Sequence, residues 1–238
     1  TPWLPAKQFR GQSGAGMYGE FTMMVDHMIG RVLSALNKAD MADDTLVIFS
    51  SDNGPVWYEE DVERFEHDSS GGLRGMKADA WECGHRMPFI VRWPGTVTAG
   101  SVNERLICFT DLLATFGELV GTELSEDAGP DSISFYKTLM GQSEPDRPTL
   151  VIKSSSGAMT ARQGPWKLIT QLGSGGFSIP KRIKPTPGGP VGQLYNLDED
   201  IGEVHNLYNQ KPEVVAKISE ELKRIQRSGA SRPANTEK

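Results

Sequence analysis

A short apolar run that stops at a group of oxygen-bearing side chains constrains this chain more than any other segment. Residues 45–50 have the sequence Thr-Leu-Val-Ile-Phe-Ser and lead directly into Ser51-Asp52-Asn53-Gly54. β-branched and aromatic residues bounded by turn residues predict a buried strand. Ligands of open α/β sheets bind beyond the carboxyl ends of the strands, and carboxylate and amide oxygens suit a hard cation. The run therefore predicts an α/β fold in which Asp52 and Asn53 face a cleft.

Two further segments carry polar groups. Gly75-Met76-Lys77 follows the turn, and residues 82–90 have the sequence Glu-Cys-Gly-His-Arg-Met-Pro-Phe-Ile. The apolar end of that second segment predicts another strand, over 89–93. Lys77 offers a compact positive charge for an anionic group. Taken alone, Asp-Asn-Gly is also a common turn sequence, so spacing leaves a plain turn and a surface lysine open.

In this order the segments resemble the second half of a formylglycine-dependent sulfatase of the alkaline phosphatase-like superfamily. The turn after the strand is similar to the family's metal-binding turn, and Gly75-Met76-Lys77 to its G-x-K, whose lysine contacts the sulfate. Residues 82–90 resemble E-G-G-x-R-x-P-F-I, with Cys83 in place of a usual glycine. The resemblance implies that Asp52 and Asn53 are ligands of Ca²⁺, or of Mg²⁺, and that Lys77 is catalytic.

The nucleophile motif of that family has no counterpart in this sequence. The family's cysteine lies in C-x-P-S-R or C-x-A-S-R and is oxidised to formylglycine, whereas neither Cys83 nor Cys108 is followed by such residues. The family's upstream aspartate ligands, its K-x-H and its second active-site histidine are missing as well. These groups normally lie N-terminal to a segment like this one. We therefore expect formylglycine in a missing N-terminal half, and no activity from this chain alone.

The function implied by the resemblance is hydrolysis of a sulfate ester by the full-length protein, with a sulfated small molecule or carbohydrate as substrate. A phosphatase or phosphonate hydrolase of the same superfamily and a truncated, non-catalytic binding module are the alternatives. The net charge of −6 argues against a nucleic-acid partner, and no apolar run is long enough for a membrane span. The resemblance alone suggests a periplasmic, secreted or lysosomal-type compartment.

Two histidines near these segments are candidate substrate-binding residues. His85 follows Gly84 directly, and its pattern leaves a substrate-facing role and a structural role open. His67 lies in the acidic stretch 54–74, predicted as an irregular loop that is either a solvated surface or a rim that selects substrates. Glu82 and Arg86 are four residues apart and predict a structural ion pair.

The chain divides into two predicted domains. Residues 1–148 are expected to form the C-terminal portion of an alkaline phosphatase-like mixed sheet sandwiched by helices. Residues 149–238 are expected to form a small antiparallel β subdomain with a terminal helix and a flexible tail after Gly229. The helices are predicted at 17–38, 110–120 and 212–228, and the strands of the subdomain at 149–153, 157–162, 166–170 and 193–196.

A Gly- and Pro-rich stretch interrupts the strands of the second domain. Residues 173–192 contain six Gly and four Pro, together with the cations Lys181, Arg182 and Lys184. This composition buries little apolar surface and predicts a flexible loop. Attraction of an anionic substrate and a plain insertion are both consistent with it.

Overall fold

Two antiparallel sheets organise the chain, which a computed structural model describes over residues 3–125 and 127–233. Its helices and strands are α1 Gly16–Lys38, β1 Val47–Ser50, α2 Glu59–Phe65, β2 Phe89–Arg92, α3 Asp111–Leu119, α4 Tyr136–Leu139, β3 Leu150–Lys153, β4 Met159–Gln163, β5 Trp166–Ile169, β6 Gln193–Asn196 and α5 Pro212–Ser228. Single turns of 3₁₀-helix form at Lys7–Phe9 and Glu82–Gly84. This arrangement confirms the predicted α/β class with an antiparallel subdomain and a terminal helix.

The first sheet joins the two apolar runs on either side of the polar segments. β1 pairs antiparallel with β2, with Val47 opposite Arg92 and Ser50 opposite Phe89. The predicted strand is therefore present. The prediction that it is buried is wrong, since all four residues of β1 are only half-buried. A strand is buried on both faces only when further layers cover it, and within the described residues β2 is the one strand that pairs with β1.

The predicted first helix is confirmed as α1, which begins at Gly16 and ends at Lys38. Its apolar stripe is largely uncovered by the described residues, since Met28 is 49% and Val32 is 59% exposed. The buried residue of α1 is instead Glu20, whose carboxylate accepts a hydrogen bond from the Gly11 backbone N–H at 2.6 Å. Over the residues that the structure describes, we find no helix with the length and apolar character of a membrane span.

The prediction of an irregular loop over 54–74 is wrong in part, because Glu59–Phe65 form α2. The Asp61 carboxylate accepts a hydrogen bond from the Tyr58 backbone N–H at 3.3 Å, which is half of a capping box. The acidic side chains of the first turn lie at the positive end of the helix dipole. α2 ends where Glu66 adopts a φ of 50°. The acidic residues, which in the sequence suggested a solvated surface, thus favour the start of helix α2.

The second sheet is a meander in the order β3-β4-β5-β6, with each strand antiparallel to the next. Helix α5 covers one face of this sheet through contacts with β4 and β5. Its amphipathic face joins the strands in one buried core of Ala161, Leu168, Leu194, Val215, Ile218 and Leu222. The helix has Pro212 in its first turn, and Gly229, which caps its C-terminal end, has a φ of 68°. The predicted antiparallel sheet and its terminal helix are confirmed.

The predicted flexible tail is wrong for the residues directly after α5. The Ser231 backbone N–H donates to the Asp131 carboxylate at 2.9 Å, and the Arg232 backbone N–H donates to the Pro130 carbonyl at 2.9 Å. These bonds tie the end of the second predicted domain to the first. Residues 234–238 of the predicted tail lie outside the described residues. The domain boundary between 148 and 149 stays a prediction.

Packing of α5 on the sheet predicts the effect of removing one core side chain. Ile218 is 1% exposed, so Ile218→Ala should lower the free energy of unfolding by about 2–5 kcal/mol through lost burial and a cavity. The matched change Ile201→Ala, at a side chain that is 40% exposed, should cost less than about 1 kcal/mol. Urea denaturation of the protein measures both, and equal losses would contradict the predicted core.

Candidate functional site

The turn 51–54 begins where β1 ends, as its position in the sequence requires. The Ser51 hydroxyl donates to the Asn53 carbonyl at 2.9 Å, and the Asn53 amide nitrogen donates to the Gly54 carbonyl at 3.0 Å. The Asp52 side chain is exposed and forms no hydrogen bond or ion pair with any described residue. The Asp52 carboxylate and the Asn53 amide oxygen are therefore available to a cation, since no described donor occupies them.

Backbone hydrogen bonds bring the three polar segments together. They run from the Gly54 N–H to the Gly84 carbonyl at 3.1 Å, from the Lys77 N–H to the Pro55 carbonyl at 2.7 Å, and from the Cys83 N–H to the Arg74 carbonyl at 2.9 Å. Position 54 must be glycine, because a Cβ there would overlap the Cys83 carbonyl oxygen. The turn, the lysine segment and residues 82–84 thus form one backbone unit.

Lys77 lies in a tight turn closed by Asp79. The Asp79 carboxylate accepts a hydrogen bond from the Met76 backbone N–H at 2.9 Å. Gly75 supplies the positive φ of 87° that the turn requires, and Ala78 has a φ of 76°. The Lys77 side chain is half-buried, and its ammonium has no hydrogen-bond or ion-pair partner among the described residues. An unpaired ammonium beside the turn is suited to an anionic group.

A buried ammonium on β5 lies at the centre of a charge cluster behind this unit. Lys167 is 0% exposed, and its Nζ lies 3.0 Å from Glu82 Oε1 and 2.9 Å from Glu203 Oε1. The same Nζ is 3.4 Å from His85 Nε2. Glu203 Oε2 also accepts the Glu82 backbone N–H at 2.6 Å. Residues from the two predicted domains therefore share one set of charges.

The second oxygen of Glu82 contacts two arginines. Glu82 Oε2 lies 3.2 Å from Arg86 Nη1 and 3.6 Å from Arg162 Nη1. The predicted Glu82–Arg86 ion pair is confirmed, but it is the exposed edge of a larger buried network. Lys167 and Glu203 were missed from sequence: a lysine within the apolar strand Trp166–Ile169 was a signal, and Glu203 gave none.

The surroundings separate the pKa values of the two carboxyl groups. Burial opposes ionisation of Glu82, but a hydrogen bond from His85 and the charge of Lys167 outweigh it and hold the pKa of Glu82 far below its usual range. Burial dominates at Glu203 and raises its pKa. In geometry the two groups differ as well: the Glu82 carboxylate also lies near Arg86 and Arg162, whereas Lys167 is the one cation bound by the Glu203 carboxylate among the described residues.

The two candidate substrate-binding histidines have different surroundings. His85 is 17% exposed at its side chain, with Nε2 3.3 Å from Glu82 Oε1. Burial lowers the pKa of His85 and so favours its neutral ring. His67 is exposed, its ring lies 5.9 Å from that of Trp57, and its carbonyl accepts the Trp57 indole N–H at 2.8 Å. A substrate contact by either histidine stays a prediction.

Cys83 is buried, and burial raises the pKa of its thiol to about 11. A thiol with such a pKa is protonated at neutral pH and is a poor nucleophile. Both Cys83 and Cys108 are free. The residue that replaces a usual glycine in the motif is therefore an inert part of the packing.

The donor set tests whether a metal suits this site. Asp52 and Asn53 supply oxygen, which is the right ligand type for Ca²⁺, but Ca²⁺ takes about six to eight oxygens. Within ranges 3–125 and 127–233, no group of three or more His, Cys, Asp or Glu side chains is arranged to hold a metal. Asp52 and Asn53 thus offer the type of ligand that Ca²⁺ prefers, but the rest of its coordination shell needs ligands other than these two residues.

Two surface grooves lie away from these residues. A groove of about 1130 Å³ runs along the solvent side of α5, lined mainly by exposed polar residues of that helix. A second, of about 450 Å³, lies between residues 103–106 and 138–147. Neither is lined by Asp52 or Lys77, and we assign the site from the converging polar groups rather than from groove size.

Comparison with known proteins gives a consistent set of relatives. A family described as Sulfatase matches residues 5–122. An N-acetylgalactosamine-6-O-sulfatase of Bacteroides thetaiotaomicron is 35% identical over 230 residues, which cover 94% of this chain and 45% of that protein. Arylsulfatase A of Bos taurus is 30% identical over 237 residues, with the same two coverages of 94% and 45%. The chain thus spans about half the length of the curated relatives it matches.

A solved structure from a study of glycosaminoglycan metabolism by Bacteroides thetaiotaomicron superposes with a TM-score of 0.83 and 33% identity. It is matched over 94% of this chain and 48% of its own. The structural match therefore extends over nearly the whole of this chain.

The buried charge cluster predicts a pH-dependent loss of stability. Lys167→Met removes the shared cation, so Glu82 and Glu203 are left buried with less compensation, and the free energy of unfolding should fall by about 3–5 kcal/mol at pH 7. The pKa values of both carboxyl groups in the folded state then rise. A carboxyl group whose pKa is higher in the folded than in the unfolded state stabilises the fold at low pH, and this contribution is lost as pH increases. The loss relative to the wild type should therefore shrink towards pH 5.

Thermal or urea denaturation at both pH values measures this loss. Lys217→Met on the exposed side of α5 is the matched control and should change stability by less than about 0.5 kcal/mol. A loss for Lys167→Met that is small, or that does not depend on pH, would contradict the buried cluster.

Proposed function

This chain belongs to the sulfatase family, and we propose that the full-length protein hydrolyses sulfate esters at a site that includes Asp52, Asn53 and Lys77. The observation that carries the proposal is the backbone unit in which Lys77 N–H is bonded to the Pro55 carbonyl at 2.7 Å, directly after the turn. This bond holds the backbone of Lys77 beside Pro55, which is two residues after Asn53 in the chain. The oxygens of one sulfate group can contact both a cation held at the turn and the Lys77 ammonium.

Each residue has a distinct role in this proposal. The Lys77 ammonium binds a sulfuryl oxygen and stabilises the negative charge that develops as the ester bond breaks. Asp52 and Asn53 would hold Ca²⁺, or Mg²⁺, which when bound stabilises charge on the sulfuryl oxygens. The nucleophile, expected to be formylglycine, and the remaining metal ligands come from outside this chain. His85 and His67 are proposed as contacts to the rest of the substrate.

The proposed substrate class is a sulfated carbohydrate. The support is that one relative is named an N-acetylgalactosamine-6-O-sulfatase and that a structural neighbour comes from a study of glycosaminoglycan metabolism. The turnover of sulfate and phosphate esters of the same alcohol by the full-length protein separates this function from that of a phosphatase of the same superfamily. A preference for the phosphate ester would overturn the proposal.

Lys77→Ala in the full-length protein should lower kcat/KM for a sulfate ester by about 10²–10³, the effect of removing one preorganised charge-stabilising donor. The free energy of unfolding should change little, because the ammonium has no partner among the described residues to lose. Steady-state kinetics measures the first and urea denaturation the second. Lys217→Ala is the matched control and should retain wild-type turnover. Normal turnover by Lys77→Ala would exclude the proposed role.

Residues 1–238 expressed alone should have no sulfatase activity. Catalysis needs a nucleophile and a nearly complete cation shell in one place, whereas this chain supplies two oxygen donors, one ammonium and a protonated buried thiol at Cys83. The measurement is release of the alcohol from an aryl sulfate with added Ca²⁺. Multiple turnovers that Lys77→Ala abolishes would show that the nucleophile lies within these residues.

A further inference from the structure

A basic loop of the C-terminal subdomain is packed against the segment that follows Lys77. The Asp79 carboxylate accepts hydrogen bonds from the Phe177 N–H at 2.7 Å, from the Ser178 N–H at 3.1 Å and from the Ser178 hydroxyl at 2.5 Å. The Ala80 N–H donates to the Ser174 carbonyl at 2.7 Å. Four hydrogen bonds thus hold the loop within two or three residues of the proposed sulfate-binding lysine.

The loop 173–184 has a defined conformation of its own. The Ser174 N–H donates to the Pro180 carbonyl at 3.1 Å, and the Gly175 N–H donates to the Lys181 carbonyl at 2.9 Å. Gly173, which has a φ of 91°, packs against the second half of the loop, and a Cβ at this position would have no room. The prediction of a flexible loop is therefore wrong for this part, because the glycines permit close backbone contacts here.

Three cations of this loop are exposed and uncompensated by other described residues. Lys181, Arg182 and Lys184 are all exposed, and none has a side-chain hydrogen bond or ion pair with a described residue. They lie within four residues of each other on a chain whose net charge is −6. Ordered backbone beneath unpaired exposed cations is an arrangement that attracts anions.

We propose that the loop 173–184 forms a wall of the sulfate-ester site and that Lys181 and Arg182 bind a second anionic group on the same substrate. The inference rests on the proposed function and narrows its substrate class to a carbohydrate that carries at least one further sulfate or carboxylate. Ala80, whose backbone N–H is hydrogen-bonded to the loop, is three residues from Lys77. The Cα atoms of Ala80 and Lys77 are therefore at most about 11 Å apart.

The distance and the charges together set the direction of the substrate. When the sulfate to be cleaved is held at Lys77, the neighbouring sugar unit of the same substrate contacts the loop. The acidic first turn of α2 is unfavourable for a polyanion, whereas Lys181 and Arg182 are favourable for it. The guanidinium of Arg182 binds a carboxylate or sulfate through paired N–H donors, whereas Lys181 contributes a point charge.

The test compares two substrates and two charge-matched variants of the full-length protein. The substrates are a 6-O-sulfated monosaccharide and a sulfated glycosaminoglycan tetrasaccharide that carries carboxylates. Lys181→Ala/Arg182→Ala should lower kcat/KM for the tetrasaccharide roughly tenfold at low salt, since two exposed ion pairs are lost. Turnover of the monosaccharide should stay within about twofold, and the loss should shrink with added salt. Lys217→Ala/Lys223→Ala on α5 removes the same charge and should leave both substrates unaffected.

Equal effects on the two substrates, no effect on either, or the same loss in the α5 control would overturn the inference. Tetrasaccharide binding measured by calorimetry distinguishes its failure from failure of the proposed function. If the wild type binds the tetrasaccharide and Lys181→Ala/Arg182→Ala weakens that binding, but neither substrate is turned over, the loop assignment stands and the sulfatase proposal fails. Wild-type protein that neither binds nor turns over the tetrasaccharide contradicts both.

Discussion

The buried ammonium of Lys167 is the constraint on which the arrangement of this chain depends. Transfer of an ammonium and two carboxylates out of water costs several kcal/mol per ion unless their contacts are close. Those contacts are present, at 3.0 Å to Glu82 and 2.9 Å to Glu203. Since Lys167 belongs to the C-terminal sheet and Glu82 to the polar segments, the two parts of the chain cannot move independently without separating buried charges.

A short series of contacts extends from this cluster to the proposed site. Glu82 is followed by Cys83 and Gly84, whose carbonyl oxygens lie directly against Gly54. Gly54 ends the turn that contains Asp52 and Asn53. The oxygens proposed to bind the cation are therefore positioned by packing of backbone on backbone. A buried ion cluster supports this packing, and the oxygens themselves make no contacts with described residues that do so. We expect such a site to keep its shape when its ligands are removed.

A second connection holds the lysine segment to the C-terminal subdomain. The Arg74 guanidinium lies 3.8 Å from the centre of the Trp81 ring, and its Nη1 donates to the Tyr195 hydroxyl at 3.2 Å and to the Glu203 carbonyl at 2.5 Å. Asp79 binds the basic loop from the same segment. The segment that contains Lys77 is thus enclosed at both ends by residues more than 90 positions later in the chain. The subdomain therefore stabilises the proposed site as well as lining it.

Local patterns predicted much of this structure, and contacts between distant residues account for what they missed. Apolar periodicity located α1 and α5, and short strand-like runs located the strands of the second sheet. The turn at Asp52 and Asn53 was found because it follows a strand. The partnership of Lys167 with Glu203 was not, because it joins a strand to a loop and leaves no local pattern. Burial of β1 was predicted too strongly, because a sequence run does not show which layers cover it.

The most direct test of the proposed site is a crystal structure of the full-length protein grown with Ca²⁺ and a sulfate ester or sulfate. We expect a cation about 2.3–2.6 Å from a carboxylate oxygen of Asp52 and from the amide oxygen of Asn53. We also expect a sulfate oxygen at hydrogen-bond distance, about 2.7–3.2 Å, from Lys77 Nζ. A cation bound without either residue, or a sulfate held in the same site with Lys77 directed away from it, would contradict the proposed site.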